Sequence, residues 1–267
     1  MNFSKYQGTG NDFVMIDNRH ATGKDSFPRH DQALITRLCD RRFGIGADGL
    51  IMLQNHPDFD FQMVYFNADG AEGSMCGNGG RCIVRFAHDL GLFSTHTRFM
   101  AVDGEHEATI TNGLISLRMS SVQQIDTTPE YSFINTGSPH VVMFVDDLTH
   151  YDVAGVGRQL RYSEAFAPSG TNVNFVQSEP DGTLFVRTYE RGVEDETYSC
   201  GTGVTAAALV ANRQSGMASP TPICTLGGRL SVAFQLNQLF GYEQIDLIGP
   251  AEKVFEGVWS LGSRANK

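Results

Sequence analysis

Apolar and polar positions alternate through residues 59–65, and the same two-residue period recurs at residues 114–119, 184–189 and 242–247, predicting short half-buried strands. The period changes at residues 31–39, where Leu34, Ile35 and Leu38 fall on one face, and again at residues 151–160. Both segments therefore predict helices. Residues 205–211 are apolar almost all round, the pattern of a helix enclosed by sheet. The polar stretch 120–130 predicts a linker. Broken strands around a few helices predict an α/β fold of the α+β type.

One long sentence of this sequence is written twice. Tyr65-Phe66-Asn67 leads, through Gly70 and Gly73, to Cys76-Gly77-Asn78-Gly79, and Tyr189-Glu190-Arg191 leads through Gly192 to Cys200-Gly201-Thr202-Gly203. Gly46 and Gly170 each lie 30 residues ahead of their cysteine, and the apolar runs 13–17 and 141–146 repeat further upstream. A period above a hundred residues is too long for a solenoid. It predicts two homologous domains facing each other.

At 267 residues the chain has room for two such domains, each with its own core. A net charge of −10 argues against a nucleic-acid or anionic-membrane partner, because no basic cluster is present to neutralise phosphates. The first residues lack the apolar core of a signal peptide, and no apolar run approaches the roughly 18 residues of a membrane span. The expectation is a soluble, cytoplasmic protein. Five cysteines without close pairing fit a reducing compartment better than a disulfide framework.

Cys76 and Cys200 each precede Gly-x-Gly and a helix-compatible run. At a helix start, free N–H groups and the positive dipole end stabilise a thiolate whose ordinary pKa is about 8.5. Glycine beside each thiol lets a carboxylate approach the backbone closely. Two opposed thiols, one ionised and one protonated, suit removal of a proton from one face of a carbon and delivery to the other. Their ionisations should be coupled, and no metal or organic cofactor is required.

Other chemistries fit less well. Zinc would want Cys-x₂₋₄-Cys pairs, whereas Cys76 and Cys82 are six apart and, at roughly 100° per helical residue, point to different faces. Gly44-Ile45-Gly46-Ala47-Asp48-Gly49 matches a dinucleotide fingerprint in letters only. It follows a helix end and precedes a strand, so its glycines read as turn residues. A Cys-His hydrolase leaves the second Cys-Gly-x-Gly unexplained. Cys39, Cys82 and Cys224 read as core residues.

These motifs resemble the diaminopimelate epimerases, of the cofactor-independent amino-acid racemase group. The resemblance runs through Gly8-Thr9-Gly10-Asn11-Asp12-Phe13, residues 42–49 and 65–70, Met75-Cys76-Gly77-Asn78-Gly79-Gly80-Arg81-Cys82, Gly137-Ser138-Pro139-His140 and Tyr189-Glu190-Arg191-Gly192. It implies two pseudo-symmetric domains, each a curved mixed sheet around a central helix, with the active site in the cleft between them. Residues 1–120, rejoined by 250–267, would form one domain and residues 121–249 the other. The implied activity converts LL-2,6-diaminoheptanedioate to its meso isomer for lysine and peptidoglycan synthesis, and a homodimer is a further expectation.

By the same resemblance Cys76 and Cys200 are the acid/base thiols, with His140 and Glu190 supporting them near the substrate amine. Asn11, Asn67, Asn172 and Arg191 hold the distal amino-acid end, where a guanidinium fork suits a carboxylate. Gly77, Asn78, Gly201 and Thr202 offer N–H groups to the carboxylate at the reacting centre. Three departures stand out: Ser138 replaces a frequent asparagine, Gly49 a frequent glutamine, and Glu190 to Cys200 is one residue longer than usual. Rival readings are a proline- or histidine-type racemase, a phenazine-type isomerase, and a non-catalytic binding protein on the same scaffold.

Overall fold

Each predicted strand and helix finds a place in a mixed architecture that repeats itself along the chain. The structure, a computed structural model, describes residues 1–20, 27–28, 31–73, 75–238 and 241–260. The first set of elements is β1 (Asn2–Gly8), β2 (Asn11–Asp17), α1 (Gln32–Cys39), β3 (Gly49–Gln54), β4 (Phe61–Asn67), α2 (Gly77–Asp89), β5 (His96–Ala101), β6 (Gly104–Thr111) and β7 (Leu114–Met119). After β8 (Ile125–Thr127) come β9 (Ser132–Asn135), β10 (Pro139–Phe144), α3 (Val153–Arg161), β11 (Asn172–Ser178), β12 (Leu184–Glu190), β13 (Asp195–Thr197) and α4 (Gly201–Ser215). The chain continues with β14 (Thr221–Thr225), β15 (Gly228–Leu236), β16 (Tyr242–Gly249) and β17 (Glu252–Val258).

The repeat predicted from sequence is a repeat of strand pairing. In the first half β1 runs antiparallel to β2, β2 parallel to β3, β3 antiparallel to β4, β4 parallel to β5, and β5, β6 and β7 pair antiparallel in turn. The same order of senses links β9, β10, β11, β12, β14, β15 and β16. β7 pairs with β16 and joins the two sets into one sheet. β17 then pairs with β1, as β8 pairs with β9. The strand that follows each half thus pairs with the first strand of the other.

Residues 120–130 are therefore more than a linker. Val122 is buried and bridges to Tyr242, while residues 125–127 form β8. The apolar side chains Val122 and Ile125, set among polar neighbours, supply the contacts that a disordered connection would lack.

Two helices carry the two main cores. Around α2 pack Tyr6, Phe13, Met15, Ile51, Phe61 and Phe99, and around α4 pack Val142, Val176, Val186, Val232, Ile245 and Leu247. Residues 204–211 of α4 are all fully buried, as their apolar circumference requires. Cys39 and Cys82 lie in cores as expected, but Cys224 is only half-buried. Gly49 opens β3 instead of occupying a turn, whereas Gly46 and Gly170 both adopt left-handed backbone, at φ 82° and 67°, just before their strands.

Candidate active site

The two core helices begin against each other. Cys76 is the N-cap residue of α2 and Cys200 that of α4, both in extended backbone. A β-carbon on Gly77 would lie 3.3 Å from Gly201 Cα, and one on Gly201 would lie 3.0 Å from Gly77 Cα. Leu247 of β16 closes over both positions. Only a residue with no side chain lets the helix starts meet this closely. Two sets of free N–H groups and two positive dipole ends therefore converge, with a thiol at each.

The sulfurs differ in their partners. Cys76 Sγ accepts a hydrogen bond from Gly79 N at 3.2 Å, whereas Cys200 Sγ lies 3.5 Å from Thr202 Oγ1 and caps no backbone N–H. Burial is the main cause that pushes both thiols up, Cys76 to about 11, and the charge of Glu190 pushes each further. Glu190 is itself raised by burial, against a 2.9 Å hydrogen bond donated by Thr197 Oγ1. One carboxylate thus acts on both sulfurs.

Behind Cys200 runs a polar chain whose direction is fixed by its ends. Asn174 Nδ2 donates to Val141 O at 2.9 Å and Asn174 Oδ1 accepts from Thr188 Oγ1 at 2.9 Å, which settles the amide's orientation. Its Nδ2 also faces His140 Nδ1 at 3.1 Å, so Nδ1 accepts and Nε2 carries the hydrogen, donated to Ser138 Oγ at 2.9 Å. Ser138 accepts in addition from Asn172 Nδ2 at 3.4 Å and turns its own hydrogen to Thr202 Oγ1 at 3.2 Å. The Thr202 hydrogen is left to face Cys200. His140 is wholly buried, and burial, followed by the Arg191 charge, lowers its pKa to about 3. It is a neutral imidazole set behind the thiol, with both ring nitrogens occupied.

Other sequence-predicted residues form two further groups. Asn78 Nδ2 donates to Ser199 O at 2.8 Å and to Asn11 Oδ1 at 3.4 Å, tying the first half to the loop before Cys200. Asn11 Nδ2 donates to Asp48 Oδ2 at 2.7 Å, and Arg41 bridges Asp48 and Asp12. On the other side Asn172 Oδ1 accepts from Arg191 N at 2.9 Å. Asn67 sits at the end of β4, with Nδ2 3.1 Å from where a Gly73 β-carbon would be.

The departure at Gly49 has a steric explanation. A β-carbon there would stand 2.6 Å from Tyr65 Cε2 and 2.6 Å from Phe66 O, so the Tyr65 ring occupies the space of a side chain at 49. The departure at Ser138 supplies the hydroxyl link between His140 and Thr202. The extra residue before Cys200 falls where the chain turns from β12 to β13, with Glu194 at φ 60° and Glu194 N bonded to Glu190 O.

Sequence reading overlooked Arg81, Tyr65 and Asn174. Asn174 had a usable signal, because it lies two residues beyond Asn172 and so on the same strand face, and Asn172 pairs in register with His140.

Solved structures of other proteins share this fold. A phenazine biosynthesis protein of the PhzF family from Bacillus anthracis matches with a TM-score of 0.77 at 13% identity, covering 97% of this chain and 99% of that one. A probable proline racemase from Agrobacterium radiobacter matches with a TM-score of 0.68 at 15% identity, over 97% and 93% of the two chains. Sequence goes further: the diaminopimelate epimerase family model matches residues 3–120 and 132–250. A diaminopimelate epimerase from Flavobacterium psychrophilum is 51% identical over 96% of this chain and 99% of its own length. The chain belongs to the diaminopimelate epimerase family.

Proposed function

We propose that the protein interconverts LL-2,6-diaminoheptanedioate and its meso isomer, in lysine and peptidoglycan synthesis, by a two-base reaction between Cys76 and Cys200. The observation that carries this reading is the contact of two cysteine-capped helix starts at Gly77 and Gly201. One sulfur, as thiolate, takes the α-hydrogen as a proton and becomes a thiol. The other, initially a thiol, gives its proton to the opposite face and is left as the thiolate. The carbon is inverted and the protonation of the pair is exchanged.

Backbone N–H groups of Gly77, Asn78, Gly201 and Thr202 would receive the carboxylate and its developing enolate charge. Burial of both helix starts excludes water and strengthens those interactions. Glu190 would face the substrate amine. His140 would act through Ser138 and Thr202 on Cys200, and Asn11, Asn67, Asn172 and Arg191 would recognise the distal amino-acid end.

Residues 1–120 with the returning 250–267 would form one domain and residues 121–249 the other; residues 261–267 lie outside the described part. The pairing of β17 with β1 supports that division. Five free cysteines support a cytoplasmic setting, and exposed Val254, Phe255 and Val258 on β17 support a homodimer.

The test is α-hydrogen exchange in deuterated water with LL-diaminoheptanedioate and, separately, with proline. Exchange and inversion of the first alone are expected. Cys76→Ser and Cys200→Ser should each lower epimerisation by about 10²–10⁴-fold. Turnover of proline, or unimpaired epimerisation by either variant, would refute the reading.

A further inference from the structure

The duplicated site is not electrically symmetric. Five residues beyond Cys76 stands Arg81, and five beyond Cys200 stands Thr205. Each bonds to the carbonyl directly after its cysteine: Arg81 Nη1 donates to Gly77 O at 3.2 Å, and Thr205 Oγ1 to Gly201 O at 2.9 Å. The same place in the repeat thus holds a cation behind one thiol and a neutral hydroxyl behind the other.

Arg81 has no exposed surface. Its guanidinium also donates to Asn78 Oδ1 at 3.0 Å, Thr9 Oγ1 at 3.1 Å and Pro250 O at 3.3 Å. All four partners are neutral, and among the described residues no carboxylate stands within ion-pair distance. An uncompensated buried charge is costly, so an anion formed beside Arg81 is stabilised. Two thiols feel this charge, Cys82 and Cys76, and Cys76 is the one at the paired helix starts, next to the Gly77 carbonyl that Arg81 holds.

We propose that Arg81 is a positioning residue that breaks the symmetry of the pair, so that Cys76 is the sulfur that gives up its proton first and Cys200 the one that keeps it. This rests on the two-thiol reading above. The groups acting on Cys76 are Arg81 on its own helix, Glu190 on β12, and the N–H groups of Gly79 and Asn78. Those acting on Cys200 are Glu190, Cys76, the Thr202 hydroxyl and the nearby Gly203 N–H. Tyr65 on β4 faces Cys76 and Glu190 as a neutral phenol, and Cys82 on α2 faces Arg81 as a neutral thiol, with Asp12 of β2 beyond it. Glu190 disfavours both thiolates, whereas Arg81 acts on Cys76 and not on Cys200.

The experiment is site-resolved alkylation by iodoacetamide, read by mass spectrometry as a function of pH. The midpoint for each sulfur reports its ionisation whatever its access. Cys76 is followed in wild type and in Cys200→Ser, and Cys200 in wild type and in Cys76→Ser, which removes the coupling. Cys76 should ionise at lower pH than Cys200. Arg81→Met should reduce the Cys76 thiolate fraction at fixed pH at least about tenfold, with little change at Cys200, and Arg81→Lys should restore most of it.

Cys200 ionising first, or Arg81→Met shifting both sulfurs equally, overturns the proposal. If Arg81→Met does not fold, the wild-type order together with Arg81→Lys still decides it. Epimerisation separates the two readings. Epimerisation lost in both serine variants while Cys200 ionises first sinks only this inference, whereas unimpaired epimerisation by either variant sinks the two-thiol reading itself.

Discussion

At the scale of residues, burial sets the pH behaviour of this protein. His140 has its pKa lowered from 6.5 to about 3 by burial, so the folded state takes up its proton less readily than the unfolded chain. Its contribution to stability is whole above pH 6.5 and is lost as pH falls toward 3. Urea midpoints should drop across that range, and less steeply for His140→Gln. Cys76 behaves oppositely, being raised from 9.0 to about 11. Its contribution is present below pH 9 and lost as pH rises through 11, while kcat/KM should climb with pH above neutrality as thiolate forms. A flat rate profile from pH 7 to 9 would contradict a thiolate base. Ser138→Ala removes the acceptor of the His140 Nε2 hydrogen and the donor to Thr202, and should cost about 1–3 kcal/mol in denaturant unfolding.

At the scale of elements, the meeting of α2 and α4 is the sensitive point. A methyl group at residue 201 would stand 3.0 Å from Gly77 Cα and 2.9 Å from Leu247 Cδ2. Gly201→Ala should therefore part the helix starts, lowering stability by about 1–3 kcal/mol and turnover more sharply than substrate affinity. Equal kcat in that variant would show that the contact does not organise the site. The second glycine of the repeat answers to a different neighbour, since a β-carbon on Gly203 would collide with Asn174 Oδ1. One Gly-x-Gly spacing thus serves both helix contact and the polar chain behind Cys200.

At the scale of the whole molecule, each half pairs a strand with the other half, and β7 with β16 runs one sheet through both. Unfolding should therefore be a single cooperative event. The one tryptophan tests this, because Trp259 follows β17 and exchanges backbone hydrogen bonds with Met1. Its fluorescence and the far-ultraviolet circular dichroism should change at the same denaturant concentration. Loss of the tryptophan signal first would mean that β17 leaves β1 before the cores open.

Local pattern in the chain determined a good deal. Two-residue and 3.6-residue periods located strands and helices because burial on one face is a local property of neighbouring side chains, and the duplicated Cys-Gly-x-Gly announced two equivalent helix starts. The same repeat marked Cys76 and Cys200 as the candidate thiols. Tertiary structure decided what depends on residues far apart in the chain: that β17 returns to β1, that residues 120–130 carry a strand, and that Tyr65 fills the space beside Gly49. It also decided that His140 is buried behind Ser138 and Thr202, and that Arg81 lies buried with no carboxylate among the described residues within ion-pair distance. Such facts are set by long-range packing and desolvation, which leave no period in a sequence; the two helix starts could be read locally, but their contact and their electrical difference arise only when the sheet closes around them.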